Sequence, residues 1–265
     1  MDNQTLFVTG LDETLLNREG KLSKYGIFEI NRMISEGALF TIATERSVGA
    51  MMDEIKPLKI NLPVITFDGA LLFDIKSKTY LRRKTINRNV VDEIKDICKE
   101  EKVCCFSTAL LQDTLLIYYD EFYHSIEERV YSSLRTSLYL NFIKGSISEE
   151  ADVVYLMCID KDEYITKLYH QLKKSDIADK IKMTRRISED FKGYTYLKVY
   201  DKDCSKQNML EELKKILKIE KSVIFGTIPK EYDAQIKDNN HDEVVRKIKK
   251  MYQKISLLKR KRWNK

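Results

Sequence analysis

Three apolar runs alternate with two amphipathic stretches between residues 6 and 69, and this order constrains the fold more than any other feature of the chain. "LFVT", "ALFTIAT" and "LPVITFDG" are continuous rather than alternating, as strands buried on both faces are. Between them lie "LSKYGIFEINRMISEG" and "SVGAMMDEIKPL". In the first of these, Ser23 stands where a helix is capped, Ile27, Ile30, Met33 and Ile34 share one helical face, and Gly37 closes the helix. The sequence β-α-β-α-β predicts an α/β fold: a Rossmann-like parallel sheet covered on both faces.

After Phe73 the pattern changes. "KTYLRRKTI" reads as a strand leading out and "NVVDEIKDICKEEK" as a helix, followed by the strand pair "VCCFSTA" and "DTLLIYY". Two further helices, "DEFYHSIEERVYSSLRT" and "DEYITKLYHQLKKS", alternate with the strands "DVVYLMCID", "KIKMTRRIS" and "YTYLKVYD". A block with its own strands and helices inside another sheet predicts an inserted α/β domain at residues 84–188. The core is then residues 1–83 and 189–265, resuming with "SKQNMLEELKKILKI", "SVIFG" and a helix that ends in a basic tail.

Composition sets the remaining bounds. With 43% hydrophobic and 33% charged residues the chain reads as globular. No apolar run approaches the roughly 18–20 residues of a membrane span, and "MDNQTLFVTG" lacks the pattern of a secretory signal, so the expectation is no membrane and a cytoplasmic location. The five cysteines form no C-x-x-C pair and read as buried or incidental thiols. Much of the +6 net charge sits in "LLKRKRWNK", which could meet nucleic acid or an acidic partner. A solvated tail is the simpler reading, because so short a run carries no base-reading element, and nucleic acid is not expected as a partner. Tyr118, Tyr119, Tyr123 and Tyr131 could form a recognition surface on the insertion, although their spacing also fits ordinary packing.

Ligands of open parallel sheets bind beyond the carboxyl ends of the strands. The residues there are Gly10-Leu11-Asp12-Glu13-Thr14, Thr44-Glu45-Arg46-Ser47, Asp68-Gly69-Ala70 and Gly226 to Glu231, with Ser205-Lys206 opening a helix. These stretches, in this order, resemble the haloacid dehalogenase (HAD) superfamily of phosphohydrolases, and in particular its Cof-type members (subfamily IIB) with a C2-type α/β cap. "GLDETLL" stands for the usual Asp-x-Asp-Gly-Thr-Leu-Leu, "ATERS" for Ala-Thr-Gly-Arg, and "DGA" for Asn-Gly-Ala. "CSKQNML" stands for Ser-Lys-Gly, and "FGTIPKE" for a Gly-Asp followed by a further acid.

The resemblance implies an aspartate nucleophile, a second aspartate as acid/base, a hydroxyl and a lysine on the phosphoryl oxygens, and carboxylates that hold Mg²⁺. By it, Asp12 is the acid/base, Thr44 and Lys206 are phosphate ligands, and Glu231 is a metal-side carboxylate. The departures cut against this chemistry. Gly10 vacates the nucleophile position, and Thr227 replaces an acidic metal ligand. Glu13 and Glu45 replace glycines close to the expected phosphate, and Asp68 replaces a neutral amide. Glu13, Glu45 and Asp68 could compensate as replacement carboxylates, or pair with Lys206. The expectation is therefore a phosphatase-like protein with phosphoryl transfer lost or weakened and Mg²⁺ affinity weakened or absent. It would act as a binding or regulatory module for a small phosphorylated ligand or a protein partner. The alternative is an active Mg²⁺-dependent hydrolase of a small phosphorylated metabolite.

Overall fold

The computed structural model describes residues 5–12, 14–17, 19–136, 140–226 and 241–263, the side chains of 258–263 excepted. Glu13, Thr227, Glu231 and the side chains of the basic tail lie outside the described residues. The chain divides into two compact units, one made of residues 1–82 and 205–265 and the other of residues 83–204.

The first unit contains β1 (Thr5–Thr9), α1 (Lys24–Ser35), β2 (Leu39–Ile42), α2 (Val48–Ile55), β3 (Val64–Thr66), β4 (Leu71–Asp74) and β5 (Thr79–Arg83). The second contains α3 (Arg88–Glu100), β6 (Phe106–Leu111), β7 (Thr114–Tyr119), α4 (Ser125–Leu134), β8 (Asn141–Lys144), β9 (Asp152–Lys161), α5 (Asp162–Lys174), β10 (Ile181–Ile187) and β11 (Tyr194–Asp201). The first unit resumes with α6 (Lys206–Leu217), β12 (Lys221–Phe225) and α7 (His241–Trp263).

In the first unit β1 lies between β12 and β2, all parallel, and a parallel bridge from Ala43 to Ile65 brings β3 alongside. Each strand is buried on both sides. Leu6 and Val8 of β1 pack with Met209, Leu210 and Leu213 of α6, whereas Phe7 packs with Ile30 and Met33 of α1 and Val244, Val245 and Ile248 of α7. This is why the strands read as unbroken apolar runs. Ser23 caps α1 by accepting from Gly26 N at 2.9 Å, as its position in the sequence predicts.

The second unit is a six-stranded sheet in the order β10-β11-β9-β6-β7-β8, antiparallel except for the β7–β8 pair. Helices α3 and α5 cover one face and α4 the other. The sequence boundary at residue 188 is corrected here to Cys204/Ser205. "YTYLKVYD", which a boundary at residue 188 leaves outside the insertion, is β11, which pairs antiparallel with both β9 and β10 and belongs to the inserted unit. Strand β8, which pairs through residues 141–144, carries no clear sequence signal. Tyr118 and Tyr119 are buried, and Tyr119 stacks on Phe122 and abuts Tyr131, so these rings pack the interior of the unit.

Candidate functional site

Backbone hydrogen bonds join the carboxyl ends of the first unit's strands in pairs. Gly10 N donates to Phe225 O at 2.8 Å, joining the ends of β1 and β12. Asp68 N donates to Thr44 O and Phe67 N to Arg46 O, both at 3.1 Å, joining the turn after β3 to the loop after β2. Phe67 and Asp68 are left-handed, with φ of 50° and 55°. Gly69 follows at φ 98°, and a Cβ there would stand 2.5 Å from Lys206 N and collide with the Ser205 carbonyl. Only glycine allows this approach of two backbones, and it sets the start of α6, with Lys206, against the turn. Ser205 caps α6 by accepting from Asn208 N at 3.0 Å.

The sequence-predicted residues fall into two charged groups. In the first, Arg46 closes on Asp12: Nη2 is 2.6 Å from Oδ1, and Nε is 3.0 and 3.1 Å from Oδ1 and Oδ2. Its Nη1 donates to Glu54 Oε1 at 2.9 Å and to Ala50 O at 3.1 Å, so one guanidinium ties the loop after β1 to α2. Burial disfavours the charged arginine, yet the Asp12 and Glu54 carboxylates outweigh it and raise its pKa. Thr44 is buried, and its Oγ1 accepts from Arg46 N at 3.1 Å. In the second group Lys206, almost enclosed, places Nζ 3.4 Å from Asp68 Oδ1 and 3.9 Å from Glu45 Oε1. The carboxylates Asp12, Glu45, Glu54 and Asp68 thus outnumber the cations Arg46 and Lys206 by two.

Gly10 is not left-handed, so its backbone would accept a side chain. The space beside it is occupied instead. A Cβ on Gly10 would stand 2.7 Å from Thr14 Oγ1, and one on Gly226 would stand 2.8 Å from the same oxygen. Thr14 is buried, its hydroxyl lying against both glycines.

Sequence reasoning named Arg46 and Thr14 among the strand-end residues but gave them no role, and it missed Glu54. Arg46 stands inside "ATERS" and was legible as the arginine of that motif. Glu54 looked like any exposed helix residue, and Thr14 fills a space that exists only once the chain is folded. Among the described residues no three carboxylates of this site converge closely enough to hold one ion. Among the described residues, two groups of three side chains do converge that closely, and both are in the second unit.

Similarity to known proteins follows the same lines. The chain is 25% identical, over 83% of its length and 79% of the relative's, to a protein of Buchnera aphidicola provisionally described as a phosphatase. Its fold is similar to that of a haloacid dehalogenase-like hydrolase from Bacteroides thetaiotaomicron, with a TM-score of 0.66 at 15% identity over 84% of this chain and 81% of that one. It is also similar to that of a HAD subclass IIB sugar phosphatase, with a TM-score of 0.59 at 13% identity over 84% and 80%. The family model of haloacid dehalogenase-like hydrolases matches residues 7–226, which is most of the chain, and the protein belongs to that family.

Proposed function

We propose that this protein keeps the phosphatase-like scaffold of its family but has lost or weakened phosphoryl transfer, and that it works as a binding or regulatory module. The observation that carries this reading is the Asp12–Arg46 pair beside Gly10. The carboxylate that corresponds to the acid/base is held at both oxygens by a guanidinium, and no carboxylate stands at the nucleophile position. A covalent route needs that nucleophile.

Charge supports the same reading. A phosphate dianion would meet an excess of carboxylates unless it took Arg46 from Asp12 or Lys206 from Asp68 and Glu45. Hard-cation affinity is also expected to be weak, because Mg²⁺ is held mainly by carboxylates and water, and Asp12, Glu45 and Asp68 each face a cation. The ligand in this reading is a small phosphorylated molecule that displaces one of these pairs, or a protein partner. A cytoplasmic location accompanies it, supported by five cysteines none of which is in a disulfide. Among the described residues no helix is long and apolar enough to cross a membrane.

The test is Mg²⁺-dependent hydrolysis of a chromogenic phosphate ester by the protein as it stands, beside Asp12→Asn and a Gly10→Asp, Thr227→Asp variant. No turnover by the original, with Asp12-dependent turnover in the double variant, is the expected result. Turnover by the original that Asp12→Asn abolishes would overturn the reading in favour of an active hydrolase that uses compensating carboxylates.

A further inference from the structure

Three of the five cysteines, distant in sequence, meet in the second unit. Cys98 comes from α3, Cys105 from the residue before β6, and Cys158 from β9. Their sulfurs all lie within 4.8 Å of one another, and those of Cys98 and Cys158 are 3.7 Å apart. All three are buried and none is in a disulfide.

We propose that Cys98, Cys105 and Cys158 form a binding site for one thiophilic cation of the zinc class. Geometry is the first ground. With metal–sulfur bonds of about 2.3 Å, three ligands around one ion have sulfurs about 3.8–4.0 Å apart. The observed spacing needs only a small contraction to reach that. Donor chemistry is the second: the cluster offers three sulfurs and no carboxylate, the set that soft or borderline ions prefer over Mg²⁺ or Ca²⁺. A cavity of about 570 Å³ adjoins the cluster, lined by both Cys98 and Cys105 together with Lys95, Lys99, Asp96 and Asp120.

Binding releases the thiol protons as the three sulfur–metal bonds form. A divalent ion with three thiolates leaves a single negative charge, which is far less costly to bury than three, and Lys95 lies close enough to favour the anion. The other convergent group in this unit, His124, Glu127 and Asp160, is already committed. Glu127 accepts from the backbone N–H groups of Cys104, Tyr123 and His124, and Asp160 pairs with the His124 ring.

The experiment is anaerobic titration of the reduced, chelator-treated full chain with Co²⁺, followed by Zn²⁺ competition. One Co²⁺ per chain with intense thiolate-to-cobalt charge-transfer absorption, lost on adding Zn²⁺, is expected. Cys98→Ser and Cys158→Ser should each weaken binding by more than about tenfold, whereas Cys204→Ser should leave it unchanged. Because the serine variants remove buried groups, circular dichroism must show them folded. Cadmium NMR of the loaded wild-type protein counts the sulfur ligands without any substitution. Absence of charge-transfer absorption, fewer than three sulfurs around cadmium, or equal binding by the folded Cys98→Ser variant would overturn the proposal. None of these readouts depends on phosphatase activity.

Discussion

Arg46 grips Asp12 at both carboxylate oxygens, with Nε 3.0 Å from Oδ1 and 3.1 Å from Oδ2, while its Nη1 reaches Glu54 at 2.9 Å. One side chain therefore neutralises the Asp12 carboxylate and anchors it to α2. An ordinary exposed pair contributes about 0.2–1 kcal/mol. Arg46→Met should cost more, about 1–2 kcal/mol, because Glu54 Oε2 is already enclosed without a hydrogen bond and Glu54 would lose its cation. Urea unfolding measures this, and Glu54→Gln in the Arg46→Met background should recover part of the loss. A cost no larger than that of a surface pair would show that Glu54 does not depend on Arg46.

Thr14 and Gly10 should be coupled. Gly10→Ala places a methyl 2.7 Å from Thr14 Oγ1 and should destabilise by about 1–2 kcal/mol through overpacking. Thr14→Ala opens the space, so the double variant should be more stable than the sum of the single changes by at least about 0.5 kcal/mol. Additive losses in a double-mutant cycle would mean that the two positions do not compete for the same volume. The same competition predicts that Gly10→Asp gains more from Thr14→Ala than from Thr14→Ser.

Two glycines with similar φ should respond very differently to alanine. Gly37 has φ 93° and open space around it, so Gly37→Ala should cost about 1 kcal/mol for the left-handed conformation alone. Gly69 has φ 98° and faces the backbone of Ser205 and Lys206, which cannot move aside without shifting α6. Gly69→Ala should cost more than about 4 kcal/mol or prevent folding. Comparable melting temperatures for the two variants would contradict the close approach.

The contact between α1 and α7 should weaken in acid. Glu29 is buried between Lys249, whose Nζ is 2.7 Å from Oε1, and Arg32, whose Nη2 is 3.0 Å from Oε2. Burial opposes its ionisation, but these two cations prevail and hold its pKa below the ordinary value. A carboxylate with a lowered folded-state pKa stabilises fully above its unfolded pKa, about 4.3, and loses that contribution as pH falls through the folded value. The difference in unfolding free energy between the wild type and Glu29→Gln should therefore be constant near neutrality and shrink below about pH 4. A difference that does not change with pH would assign the effect to packing.

What the sequence determined by itself was local. The apolar runs of β1, β2 and β3, the Ser23 cap and the amphipathic helices follow from the chemistry of adjacent residues, and the ordered motifs from "GLDETLL" to "CSKQNML" marked the strand ends of a family member. Tertiary structure decided everything that required distant residues to meet. Strand β11 joined the inserted sheet because β9 and β10 offered it antiparallel partners, and strand pairing is not written in any one strand's pattern. Arg46 chose Asp12 and Glu54, Lys206 chose Asp68 and Glu45, Thr14 took the volume beside Gly10, and three scattered cysteines came within bonding reach of one ion. Each depends on a distance across the fold, and charge pairing, steric exclusion and metal ligation are all short-ranged. The sequence could therefore name these residues but could not pair them.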